Sequence, residues 1–125
     1  VNQLCIAGLL QGLSEAIIFG KSSNLSMNKV FDAISNGAAQ SWQMDNRFKT
    51  MTDNSFDFGF AVDLMIKDLQ IALDEAQLKS LDLKISKDVL KNYRKLSKMN
   101  LGSLDTSSLI KLFEIKKSYP KKSLL

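Results

Sequence analysis

Large apolar residues fall at Leu4, Ile6, Leu9, Leu10, Leu13, Ile17, Ile18 and Phe19. The i, i+4 pairs Ile6–Leu10, Leu9–Leu13 and Leu13–Ile17 predict a helix over residues 1–19. Cys5, Ala7, Gly8 and Ala16 fill its other sides with small groups. The pattern therefore predicts a rod buried on every side, with other helices packed round it. Its polar residues are Asn2 and Gln3 at the start and Gln11, Ser14 and Glu15 further along. Asn2 and Gln3 thus mark one end of the rod, where a polar pair would meet a cleft or a second domain. No cap residue precedes Val1 and the chain does not begin with Met, so the sequence reads as a piece of a longer protein.

Gly20 or Asn24 is expected to end this helix, since both accept the left-handed conformation. Gly8 and Gly12, four apart, predict close approach of another helix; without a preceding strand they form no nucleotide loop. Ser26 should cap a short helix over 27–35, with Val30, Phe31 and Ile34 inward. A third helix is predicted over 38–51, with Trp42, Phe48 and Met51 as its large apolar groups. The turn cluster Asp53-Asn54-Ser55 follows it. A second long helix is predicted over 60–78, burying Phe60, Leu64, Met65, Leu69, Ala72, Leu73 and Ala76. On another face, Asp63 and Lys67 have the spacing of a surface ion pair, a contribution of about 0.2–0.5 kcal/mol. Ser86 should cap a helix to residue 100, with Val89, Leu90, Tyr93, Leu96 and Met99 inward, and Gly102 should close it. Asp105 or Thr106 caps the last helix, which carries Leu109, Ile110, Leu112 and Phe113. Pro120 makes 119–125 a frayed tail. Six helices, two of them long and buried, with no alternating strand pattern, predict one all-α domain over 1–125.

Composition adds mainly exclusions. The chain has no His, which removes the commonest metal ligand and general base, and no metal-ligand spacing is present. Its one Cys, Cys5, cannot form an internal disulfide and is read as a small core residue in a reducing, cytoplasmic setting. Gln11, Ser14 and Glu15 interrupt the first apolar run, which argues against a membrane span. The net charge of +4 is unevenly spread: residues 1–78 hold five basic and nine acidic side chains, and residues 79–125 hold twelve and four. In the second half the lysines alternate with Leu and Ile at helical spacing, the pattern of a solvated helix face rather than of a nucleic-acid surface. From the residues alone, no complete active site is present, and function requires another domain or chain.

An ordered set of motifs carries a resemblance over about 105 residues. It comprises Asn2-Gln3, Glu15-Ala16, Asn36-Gly37-Ala38-Ala39-Gln40-Ser41-Trp42, Phe58-Gly59-Phe60, Lys67-Asp68-Leu69 and Gly102-x-x-Asp105-x-Ser107. Together these resemble the C-terminal helical domain of the β-hydroxyacid dehydrogenases, the family of 3-hydroxyisobutyrate dehydrogenase and tartronate semialdehyde reductase. The resemblance implies a 6-phosphogluconate dehydrogenase C-terminal-domain-like fold, an absent Rossmann domain that binds NAD or NADP, and a small 3-hydroxy acid or semialdehyde as substrate. It implies that Asn2, with Gln3, binds substrate at the catalytic centre, next to an acid/base Lys two positions before Val1. It implies that Lys67 contacts the cofactor, that Asp68 positions its helix, and that Trp42 is a core residue or subunit contact. Homo-oligomers built through this domain are also implied, with no nucleic-acid partner. The fragment by itself is not expected to be active. Asn24 stands where relatives usually have Gly, and the Gly and Pro common around 81–85 are missing. A non-catalytic interaction domain that self-associates through its apolar first helix remains the alternative, and a basic nucleic-acid module the third.

Overall fold

The computed structural model describes residues 1–116. Six α-helices run in the order α1 (Asn2–Ser22), α2 (Met27–Ile34), α3 (Trp42–Thr52), α4 (Val62–Leu78), α5 (Lys84–Lys98) and α6 (Lys111–Lys116), with a 3-10 segment, Thr106–Ile110, leading into α6. Among the described residues the one β-type pairing is an isolated bridge between Ala61 and Asp105. The all-α architecture matches the expectation from periodicity. The tail 119–125 lies outside the described residues.

α1 is the hub, packing on α2, α3, α4, α5 and the 3-10 segment. Ala7, Leu10, Leu13 and Ile17 supply its core stripe, and Met44, Phe48 and Met51 meet it from α3. Val62, Met65 and Leu69 come from α4, Val89, Leu90, Tyr93 and Leu96 from α5, and Leu109 and Ile110 close the core from the C-terminal side. Each such large side chain contributes about 1.5–3 kcal/mol when fully buried. The Tyr93 hydroxyl, inside this core, donates to the Thr106 carbonyl at 3.1 Å. Burial and the nearby Asp105 carboxylate push its pKa well above the ordinary phenol value, so it stays a neutral donor.

Several expectations are corrected. α1 is buried along one stripe rather than all round: Phe19 is 72% exposed and Leu9 45%. Cys5 lies on the exposed side and is not a core residue. By length and composition α1 is long and apolar enough to cross a membrane, a property that core helices of soluble proteins share. α3 begins at Trp42, later than expected, because Ser41 is its cap and accepts from the Met44 N–H. Trp42 is 60% exposed and belongs to no core. On α4 the buried stripe starts at Val62, and Phe60 and Leu64 face outward. Ser86 caps nothing: α5 starts at Lys84 and Ser86 is buried in its first turn. Met99 is exposed. Asn24 does adopt the left-handed conformation, at φ 57°, which is why Asn can replace Gly there. Asp105 precedes the 3-10 segment and accepts from the Ser107 N–H.

The Gly8–Gly12 pair is not a helix-crossing point. A Cβ on Gly12 would meet nothing within 4 Å, and one on Gly8 only the Ile85 methyl at 3.9 Å. Glycine inside a helix therefore costs conformational entropy at Gly12 with no packing return. Gly12→Ala should raise stability by about 0.5–1 kcal/mol, read as a higher urea midpoint at unchanged m-value. A loss of stability would show that something presses on this face.

Candidate active-site face

The polar end of α1 lands on the middle of α4. Gln3 Nε2 donates to Asp68 Oδ2 at 2.9 Å, although the two residues are 65 positions apart. The other Asp68 oxygen, Oδ1, lies 3.2 Å from Lys67 Nζ. On the far side, Asn2 Nδ2 donates to Gln3 Oε1 at 2.9 Å. Asn2, Gln3, Asp68 and Lys67 thus form one continuous polar chain across two helices. Periodicity is why they meet: α1 buries Ala7 and Leu10 against the core, and α4 buries Met65 and Leu69. Gln3 and Asp68 then sit at the edge of that contact, both partly buried.

The expected ion pair between Asp63 and Lys67 does not form. Asp63 Oδ1 accepts from the Ser97 hydroxyl at 2.6 Å on α5, and Lys67 turns to Asp68 instead. The Lys67 side chain remains 63% exposed, so its ammonium is accessible to a ligand. The Gln3 hydrogen bond, and then Lys67, hold the Asp68 carboxyl below its ordinary value of 3.8, against a smaller opposing effect of desolvation. The sign follows: the contacts of this carboxylate are complete above its unfolded pKa and are lost as pH falls through the lower folded value. At neutral pH Asp68 is an anion that only accepts hydrogen bonds.

A second polar cluster escaped the reading of the residues because its members lie far apart in sequence. Asp105 is fully buried, and Arg47 Nε reaches its Oδ2 at 3.0 Å. Its oxygens also accept from the Phe60 N–H at 3.0 Å, the Ser107 N–H at 3.0 Å and the Ser107 hydroxyl. The Arg47 guanidinium lies 5.2 Å from the Trp42 ring centre and 5.0 Å from that of Phe58. The only signal in the sequence was the Gly102-x-x-Asp105-x-Ser107 motif, which by itself names no partner.

The groove between α4 and α5, about 400 Å³, is lined by Gln70, Leu73, Gln77, Lys87, Leu90 and Arg94 among others, and by none of Asn2, Gln3 or Lys67. Asn2 and Lys67 instead present exposed polar groups on a face: an amide, and a cation on a rigid helix.

Comparison with known proteins places the chain in a family. A family model described as "NAD-binding of NADP-dependent 3-hydroxyisobutyrate dehydrogenase" matches residues 1–113. An uncharacterized oxidoreductase of Shewanella frigidimarina is 50% identical over 118 residues, covering 94% of this chain and 40% of that protein. The L-threonate dehydrogenase of Escherichia coli K12 is 26% identical over 113 residues, covering 90% of this chain and 37% of that protein. The crystal structure of a 3-hydroxyisobutyrate dehydrogenase from Salmonella typhimurium superposes with a TM-score of 0.80 at 26% identity, over 90% of this chain and 39% of that one. The chain therefore spans about two fifths of the length of each of these relatives. With the family model covering nearly the whole of it, the chain belongs to the family described as NAD-binding of NADP-dependent 3-hydroxyisobutyrate dehydrogenase.

Proposed function

We propose that this chain is the C-terminal, substrate-side domain of an NAD(P)-dependent 3-hydroxyacid dehydrogenase or reductase, and that its Asn2–Lys67 face forms one wall of the catalytic cleft. The observation that carries this reading is the polar chain from Asn2 to Lys67, which gathers an amide and an accessible cation on one face. The names of the Salmonella and Escherichia coli relatives support a small hydroxy acid as substrate.

In this reading Asn2 binds and orients the substrate's oxygen atoms, which converts an encounter into an aligned geometry. Lys67 supplies fixed positive charge to the cofactor across the cleft. The bound nicotinamide would take or give the hydride. A Lys two positions before Val1, implied by the family resemblance, would hold the proton. The exposed Leu9 and Phe19 on α1 support self-association through that face.

The test uses the full-length protein. Lys67→Ala should raise the KM for NAD(P) by about tenfold or more, the worth of a hydrogen bond to a charged group, and should change the KM for substrate much less. Asn2→Ala should lower turnover or raise the substrate KM with little effect on the melting temperature. Unchanged cofactor dependence in Lys67→Ala, together with normal turnover of Asn2→Ala at limiting substrate, would leave both residues as surface groups and overturn the assignment.

A further inference from the structure

The two amides at the tip of α1 are not equivalent, and the carboxylate behind them is the reason. An ionised carboxylate has no proton to give, so the group that Gln3 turns to Asp68 must be its NH2. That choice turns Gln3 Oε1 toward Asn2, and Asn2 must in turn offer its own NH2, the orientation that the structure contains. Both ends of the Gln3 amide are then engaged within the protein. Asn2 Oδ1 accepts no hydrogen bond from any described residue, and one Asn2 N–H is also left over.

We infer that Gln3 and Asp68 are positioning residues: together they set the direction of the Asn2 amide and hold the Lys67 ammonium at the second carboxylate oxygen. This assignment rests on the dehydrogenase reading of the face, and it revises the expectation that Gln3 binds substrate itself. Lys67 from α4 is the charged group that faces Asp68, and Gln3 from α1 is neutral.

Two measurements test this. In the chain itself, the Asp68 side-chain carboxyl carbon is followed by NMR through an acid titration in wild type, Gln3→Met and Gln3→Glu. Met keeps the length and helix preference of Gln but removes its amide. The Asp68 midpoint should rise in Gln3→Met and rise further in Gln3→Glu, where a second carboxylate faces the first. An unchanged midpoint in both would overturn the relay, whatever the protein catalyses. In the full-length enzyme, Gln3→Met should raise the KM for cofactor and for substrate together, each about 3- to 10-fold, the worth of one hydrogen bond, with kcat changed less. Adding Lys67→Ala to Gln3→Met should raise the cofactor KM no further than Lys67→Ala alone, since both act through one ammonium. A rise in the substrate KM alone would make Gln3 a direct substrate ligand and overturn the positioning role. Failure of the wild-type protein to oxidise or reduce any hydroxy acid pair with NAD(P) would sink the dehydrogenase reading instead, and with it the positioning of ligands, while the titration would still decide the relay.

Discussion

Asp105→Ala should destabilise the domain by about 3–5 kcal/mol, the loss expected when one member of a buried, hydrogen-bonded ion pair is removed. The side chain is fully buried, and its carboxylate takes Arg47 Nε, two backbone N–H groups and the Ser107 hydroxyl. Alanine would leave the Arg47 cation and the Phe60 and Ser107 N–H groups without their acceptor. A domain of this size has about 5–15 kcal/mol in hand, so the variant would be marginal at physiological temperature. Urea unfolding followed by circular dichroism is the measurement, with Asp105→Asn as the control that keeps shape and one acceptor oxygen and so loses less. A fall of less than about 1 kcal/mol in Asp105→Ala would show that the cluster contributes geometry but little stability.

Gly59→Ala should cost about 3 kcal/mol or more, from two sources that act at one atom. Gly59 has φ +74°, where an L side chain is strained by about 1–2 kcal/mol. Its Cβ would also overlap the Asp105 carboxylate and come within 3.1 Å of Arg47 Nη2. The carboxylate cannot retreat, because donors from three separate stretches of chain hold it. Gly59→Ala made in an Asp105→Ala background should cost only the backbone strain, since the overlapping oxygen is gone. The difference between the two costs is the coupling. Equal costs in both backgrounds would place the penalty in the backbone alone.

Both variants act on the start of α4, and through it on the face that carries Lys67. α4 has no side-chain cap. Its first N–H groups are met from the far end of the chain: the Val62 N–H by the Leu104 carbonyl at 2.8 Å, and the Asp63 N–H by that of Gly102 at 2.9 Å. Close by, the Asp105 N–H donates to the Phe56 carbonyl and the Thr106 N–H to that of Phe60, both at 2.9 Å. Backbone groups that a Ser or Asp would ordinarily satisfy locally are here satisfied by residues about 40 positions away. Loosening Asp105 therefore loosens the register of α4 on α1, and with it the contact between Gln3 and Asp68.

The amino-acid sequence by itself determined the helices, because a period of 3.6 residues is written locally in Leu10, Leu13 and Ile17 or in Met65, Leu69 and Ala76. It also specified the polar tip of α1, since Asn2 and Gln3 stand out against an apolar run. Burial was less legible. Leu9, Phe19 and Leu64 are as apolar as their neighbours, and which side of a nearly uniform helix faces the core depends on how many helices are available to cover it. Only the tertiary structure decided that Asp68 rather than Asp63 pairs with Lys67, that Gln3 completes that pair, and that Arg47 finds Asp105. Lys67 and Asp68 are neighbours on α4, but packing is what gives Asp63 to Ser97 of α5 and Asp68 to Gln3 of α1. Hydrogen bonds and ion pairs act over about 3 Å, and Gln3 with Asp68, Ser97 with Asp63 and Arg47 with Asp105 come within that range only after the core has set these distant stretches against one another.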